Sequence, residues 1–265
     1  MIRILRIFFL HFEQVFQERL RSFIWFLIPM YNIVLILIFW KGALVSGNSL
    51  AKNWSVSGIL AYYLVTAIIS TLVVSHIEEN VSRDDIHMGN MVRYLIRPFP
   101  YFWNKFFEEL PYRVNQSLYG VIILVSVSII FKIKLPFQPD PLILFGACVS
   151  TILGFFISFV MKMNIGLSAF WLKDTNAIEQ MENILRLIFG GGIMPIILFP
   201  SLFQKIAYLL PFASITYYPS MLFLNSFYTP LWTALGTQLM WLIFLIVLNR
   251  VLWNIGIKQF TGAGQ

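Results

Sequence analysis

The chain has 265 residues, with 19 Lys and Arg against 12 Asp and Glu; 58% of it is hydrophobic, only 12% is charged, and the mean hydropathy is +0.77. Soluble domains carry about 25% charged residues, so a soluble globule is excluded, and so is a disordered chain, which needs low hydrophobicity. The apolar stretches run continuously, which speaks against the alternation of a transmembrane barrel. A single cysteine, Cys148, excludes an internal disulfide or a cysteine-rich metal site.

Residues Arg3 to Leu20 have Ile4, Phe8, Phe12, Val15 and Phe16 at helical spacing, with Arg6, Glu13, Gln17 and Arg21 between them. This pattern predicts an amphipathic interface helix over residues 1–22. Four arginines and two glutamates there, without a small-residue cleavage site, read against a cleavable signal.

Crossing the hydrocarbon core takes about 20 mostly apolar residues. On that criterion six transmembrane helices are expected, over Phe23–Leu44, Val56–Ile77, Tyr112–Phe131, Pro141–Met161, Ile184–Phe199 and Leu231–Leu252. The fifth is short, since sixteen residues reach only about 24 Å. Six spans put both termini on one side. With that side cytoplasmic, fourteen of the 19 basic residues and every arginine fall inside, leaving Lys41, Lys52, Lys132, Lys134 and Lys205 outside. The positive-inside rule favours this orientation, and the basic excess needs no nucleic acid to explain it.

No charged residue sits near the middle of a predicted span, and Arg113 and Lys162 fall at span ends, where long side chains snorkel. Proton relays and ion-coupled transporters need buried ionisable groups, so those classes are disfavoured. Asn32, Thr66, Ser70, Ser126, Ser150, Ser158, Thr237 and Gln238 are the polar interior residues, read as helix-packing contacts. A phosphate-binding loop needs Lys followed by Ser or Thr, and none of the nine lysines is. Any pumping work is therefore powered by another chain.

Residues 78–111 form a long charged loop. Ser82 and Asp85 have capping-box spacing, and a short helix follows with Met91, Val92, Leu95 and Ile96 on one face and Arg93 and Arg97 on another. Pro98 and Pro100 end it. A second amphipathic piece puts Phe102, Trp103, Phe106, Phe107 and Leu110 on one face and Asn104, Lys105, Glu108 and Glu109 on the other, which places it along the membrane surface. Glu78-Glu79-x-x-x-Arg83 has the form used by intramembrane CAAX-processing proteases, with His76 nearby, but no His has Phe four residues before it. That protease reading is the alternative function.

Between the last two spans the apolar stretch 200–230 is cut by Pro200, Pro211, Pro219 and Pro230. Ser201 to Leu210 spans only about 15 Å as helix, too short to cross. Two short pieces entering and leaving the outer face are expected, a re-entrant segment that suits an outer gate. Gly191, Gly192, Pro195, Pro200, Pro211 and Pro219 are its candidate pathway residues.

Taken together, Gly89 to Pro98 (GNMVRYLIRP) and Gly166 to Pro219, the latter with Phe170-Trp171, Gly191-Gly192, Pro195, Phe199-Pro200, Leu210-Pro211-Phe212 and Pro219, resemble the permease subunits of type-2 ABC transporters, within the viologen-exporter subfamily. Glu78, Glu79 and three lysines close to the outer ends of spans depart from that pattern. The resemblance implies an all-α polytopic fold of six spans in one permease domain, residues 1–265. It implies an N-terminal interface helix, a cytoplasmic coupling helix within 78–111 and re-entrant outer helices before the last span. It also implies docking of a separate ABC ATP-binding subunit, which carries the ATP and magnesium, on Arg83, Asp84, Asp85, Gly89, Arg93, Arg97 and Pro98. A second permease subunit would complete the pathway. The expected setting is the bacterial cytoplasmic membrane with both termini inside, and no cofactor or catalytic residue on this chain.

Overall fold

A computed structural model describes residues 31, 34–36, 38–40, 42, 56–130, 140–224 and 230–261. The interface helix expected over 1–22 and most of the first predicted span lie outside these residues. Among the described residues the protein is helical, without strands.

Among the described residues from position 56 onward, and besides the 3-10 turns Ser168–Phe170 and Ile196–Leu198, the helices are α1 Val56–Val73, α2 Asn80–His87, α3 Val92–Leu95, α4 Tyr101–Ile130, α5 Pro141–Leu167, α6 Asn176–Phe189, α7 Ser201–Leu209, α8 Ala213–Phe223 and α9 Leu231–Gly256. Three of them are long and apolar enough to cross a membrane: α4, α5 with its continuing turn to Phe170, and α9. A fourth span results if α7 and α8, bent by 81° at their junction, count as one. Helix α1, 18 residues of nearly unbroken apolar sequence, packs along α4 and α5, and α9 lies against α5.

The helix boundaries depart from expectation in three places, each for a local reason. The amphipathic piece after Pro100 and the third span are one continuous helix, α4, with Pro111 inside it. Proline removes one backbone donor, but the flanking turns are held by packing and by the Glu109–Arg113 pair one turn apart, at 3.0 Å. Helix α5 runs past Met161 to Leu167, started by Pro141 at its first turn and by the Asp140 carboxylate accepting from Leu142 N–H. The expected fifth span, Ile184–Phe199, is not one helix. Helix α6 is 14 residues long and stops at Phe189. There Gly191 takes φ +82°, Gly192 N–H donates to Leu187 C=O at 3.0 Å and Gly191 N–H to Ile188 C=O at 3.4 Å. This is a Schellman ending, which glycine makes without strain.

Helix direction concentrates charge at one end. The C-termini of α1, α5 and α9 and the starts of α4 and α6 meet there, as the contacts of Glu78 with Lys162, Lys162 with Glu182, Asn164 with Asn249 and Tyr101 with Trp253 require. Ten of the eleven described basic residues lie at this end, Lys205 on α7 being the exception.

Candidate functional site

The charged end is built on three ionic clusters that share the segment from Val74 to Glu109. The first fixes the exit from α1. Ser75 N–H donates to Ser158 Oγ on α5 at 3.0 Å. The Ser75 hydroxyl and His76 N–H both donate to Glu109 Oε1 on α4, at 3.0 and 3.2 Å, and the Arg113 guanidinium donates to Val74 C=O. Four residues without regular structure are thereby tied to two long helices. The Ser75 and His76 N–H groups and the Val74 C=O, which would be costly to bury alone, are paired.

The second cluster centres on Lys162. Its Nζ donates to Glu78 Oε1 at 2.7 Å and to Asn183 Oδ1 at 3.1 Å, and stands 2.7 Å from Glu182 Oε2. Arg186 adds its Nε at 3.3 Å from Glu182 and donates to Asn183 Oδ1 at 3.0 Å. Two acids and two bases make a neutral group drawn from three elements. The Lys162 side chain is 0% exposed. Burial pushes the Glu78 carboxyl up to about 7, against the opposing pull of Lys162. Lys162 therefore does not snorkel, and neither does Arg113, which is buried against Glu109. A cation at a helix end snorkels only when no acid is within reach. Here the fold supplies acids from distant sequence.

The third cluster supports the stretch between the two prolines and α2. Asp85, fully buried, stands 2.6 Å from Lys105 Nζ and accepts from the Tyr101 hydroxyl at 2.7 Å. Lys105 also pairs with Glu108 at 2.9 Å and donates to the Tyr94 hydroxyl at 3.1 Å, and that hydroxyl donates to Glu108 at 2.7 Å. Burial raises the Tyr94 phenol above its usual range, with Lys105 opposing. The guanidinium groups of Arg93 and Arg97 lie over the Tyr94 ring, 4.9 and 5.9 Å from its centre.

This arrangement corrects the reading of the loop in detail. Ser82 and Asp85 do not cap a helix; both lie inside α2, and the Ser82 hydroxyl donates to Glu79 C=O at 3.4 Å. The helix after Gly89 is a single turn, α3, and its apolar residues do not share a face: Met91 is buried while Val92, Leu95 and Ile96 are exposed. Asn104, Lys105 and Glu109, expected on a solvated face, are buried. Of the residues expected at an ATPase contact, Arg83, Arg93, Arg97 and Pro98 are exposed and Asp84 and Gly89 half-buried, with Gly89 at φ +74°. Asp85 faces inward. Sequence reasoning did not find Tyr94, Tyr101, Lys105, Glu109, Glu182 and Arg186 as a network. The i,i+4 pairs Glu109–Arg113 and Glu182–Arg186 were its one visible signal.

At the far end of α6 the Gly190–Ile193 turn is held by hydroxyls. Tyr62 on α1 donates to Gly191 C=O at 2.8 Å, Tyr63 donates to Ile193 C=O, and Thr216 on α8 donates to Gly190 C=O at 2.8 Å. Trp40 Nε1 in turn donates to the Tyr63 hydroxyl at 2.7 Å. Gly191 and Pro195 are buried and Gly192 half-buried. Pro195 precedes a short 3-10 turn, Pro200 starts α7, Pro211 lies at the α7–α8 bend, and Pro219 is buried within α8.

The protease reading finds no support. Glu78 is engaged by Lys162, whereas Glu79 points to solvent and pairs only with Arg83, at 3.2 Å with both side chains about two-thirds exposed. Adjacent glutamates facing different surroundings cannot share one water. Among the described residues, no three of His, Cys, Asp and Glu gather as metal ligands.

Long apolar helices gathered around a single charged end, held by buried ion pairs, define a multi-pass helical membrane protein. The family model described as ABC-2 family transporter protein matches residues 30–264, and the chain belongs to that family. No curated protein matches it.

Proposed function

We propose that this chain is the permease subunit of an ATP-driven exporter. Two such subunits, identical or paired with a relative, form the pathway, and separate ATP-binding chains supplied with ATP and magnesium drive it. One observation supports this reading most. The Gly89–Pro98 stretch, which resembles the family pattern, is propped from beneath by Asp85, Lys105, Tyr101 and Tyr94 while Arg83, Arg93 and Arg97 stay exposed. A rigid, basic knob with apolar Val92, Leu95 and Ile96 beside it suits a protein partner better than bulk water.

The charged end faces the cytoplasm of a bacterium in this reading, because basic residues favour that side, and both termini lie there. Six spans complete the fold, and α7 and α8 form a re-entrant outer gate with Gly191, Gly192, Pro195, Pro200, Pro211 and Pro219 along the exit. Export in the manner of the viologen-exporter subfamily follows from the resemblance of Gly89–Pro98 and Gly166–Pro219.

The test is co-purification with the ATP-binding protein encoded beside it. The double variant Arg93→Glu and Arg97→Glu is expected to lose the partner; because Arg93 also pairs with Asp85 at 3.4 Å and donates to the Tyr94 hydroxyl at 3.1 Å, its melting temperature serves as the control for folding. Undiminished association in a folded double variant overturns the docking site.

A further inference from the structure

The charged end contains one joint that a docking surface by itself does not need. Lys162 sits on α5, yet its contacts are all with other elements: Glu78, at the entry to α2, and Glu182 and Asn183 on α6. Glu78 leads directly into the segment that presents Arg83, Arg93 and Arg97. Helix α6 ends in the Gly190–Ile193 turn, which Tyr62, Tyr63 and Thr216 hold. The ammonium thus links the knob on one side to the helix that leads to the glycine turn on the other. Further contact between the two sides is slight, His87 Nε2 meeting Leu172 C=O at 3.0 Å just before α6.

We infer that Lys162 is a positioning residue for transport, coupling the α2 segment to α6 so that displacement of the docking knob is delivered to the glycine turn. This rests on the permease reading for its purpose, but the joint itself is a property of the chain alone. The chemistry suits the task. A lysine ammonium has three donors on a flexible stem, so it holds acceptors from two moving bodies without fixing their angle. Because the pairs are buried, they are not screened by salt as surface pairs are. Ionic pairing of this kind resists separation of the two bodies, and it permits the small rotations that a packed apolar seam would block. Helix α6 also turns its charged residues inward, while Met181, Ile184 and Leu187 face outward. Its inward registration therefore depends on these polar contacts together with Leu185 and Phe189, which pack against the core.

The experiment uses the full chain in lipid nanodiscs, with Cys148→Ser and spin labels at Met88→Cys and Gln180→Cys, one on each side of the joint. A second label pair, Met88→Cys with Val114→Cys, spans the Asp85–Lys105 support instead. Lys162→Met alone leaves buried acids unpaired and can unfold the protein, so the deciding variant is E78Q/K162M/E182Q, which removes the Lys162 charge together with both of its acids and leaves Arg186 held by Asn183 Oδ1 at 3.0 Å. In the parent, both label pairs are expected to give single narrow distance distributions. In the triple variant the Met88–Gln180 distribution loses its single narrow peak and the Met88–Val114 distribution keeps it. With the ATP-binding partner and ATP present, the parent shifts its Met88–Gln180 labels and moves a label at Ile193→Cys, and the triple variant loses the second movement. An unchanged Met88–Gln180 peak in the folded triple variant overturns the joint. Broadening of both pairs overturns it as well, because the charges then hold the whole fold rather than one link. If no ATP-binding protein associates with the parent, the permease reading fails, and the resting distances still decide the joint.

Discussion

The Tyr62 hydroxyl donates to the Gly191 carbonyl at 2.8 Å, joining residues 129 positions apart. The contact fixes the point where α6 gives way to the stretch leading to α7, and it leaves no room for a side chain. A Cβ on Gly191 would stand 2.3 Å from the Tyr62 oxygen, on a backbone at φ +82°. Gly191→Ala is therefore expected to cost about 2 kcal/mol or more. Tyr62→Phe, which removes the hydrogen bond to Gly191 without adding bulk, costs about 1 kcal/mol. Thermal unfolding in detergent, followed by tryptophan fluorescence, orders the two; a more damaging Tyr62→Phe would refute the steric argument.

Glu78 should shape the pH dependence of stability. A carboxyl raised by burial favours the folded state in its protonated form. Its contribution is complete below the unfolded value of 4.5 and is lost as pH rises through about 7. Within that window the slope reaches at most about 1.4 kcal/mol per pH unit. Comparing melting temperatures from pH 4.5 to 8, Glu78→Gln is expected to flatten the decline seen in the parent. Parallel curves would show that Glu78 has no such role.

Asp84 and Asp85 are neighbours with different fates. Asp85→Asn leaves Lys105 buried without its closest acid, and breaking such a pair costs about 3–5 kcal/mol. Asp84 makes no comparable contact, so Asp84→Asn should stay within about 0.5 kcal/mol of the parent. Denaturation midpoints of the two variants, measured side by side, check the contrast; equal midpoints would contradict it.

Gln238 holds α9 to the rest of the bundle. Its amide donates to Ser150 C=O on α5 at 2.9 Å and to Ser214 C=O on α8 at 2.7 Å. Beside it Gly154 brings α5 so close to α8 that a Cβ would stand 2.7 Å from Ile215 C=O. Gln238→Leu is expected to destabilise by about 1–2 kcal/mol, the range for interhelical hydrogen bonds in membranes. Thr151→Val, whose hydroxyl donates to Ala147 C=O within its own helix at 2.8 Å, should cost less than about 0.5 kcal/mol. Proteolysis rates at the α7–α8 bend give a second readout, rising for Gln238→Leu alone.

Composition and hydropathy sufficed for class and for much of the helix inventory, because crossing a bilayer demands long apolar runs whatever the tertiary contacts. The apolar helix α9 and the bend between α7 and α8 were legible for that reason: apolar length and proline positions are local signals. The end of α6 was not, because a Gly-Gly-Gly run inside an apolar stretch reads as span until tyrosines from α1 hold it in a turn.

The roles of the charged residues were decided only by the tertiary structure. Read locally, Lys162 and Arg113 are snorkelling cations, Lys105 belongs to a wet face and Glu78 to a surface motif. In the fold each meets an opposite charge or a carbonyl from another element: Glu78 and Lys162 lie 84 positions apart, Val74 and Arg113 39 apart. A charged side chain's environment depends on what the chain brings back to it, and helical periodicity has no information on that. Hydrophobic length is a property of a segment, whereas charge burial is a property of a pair.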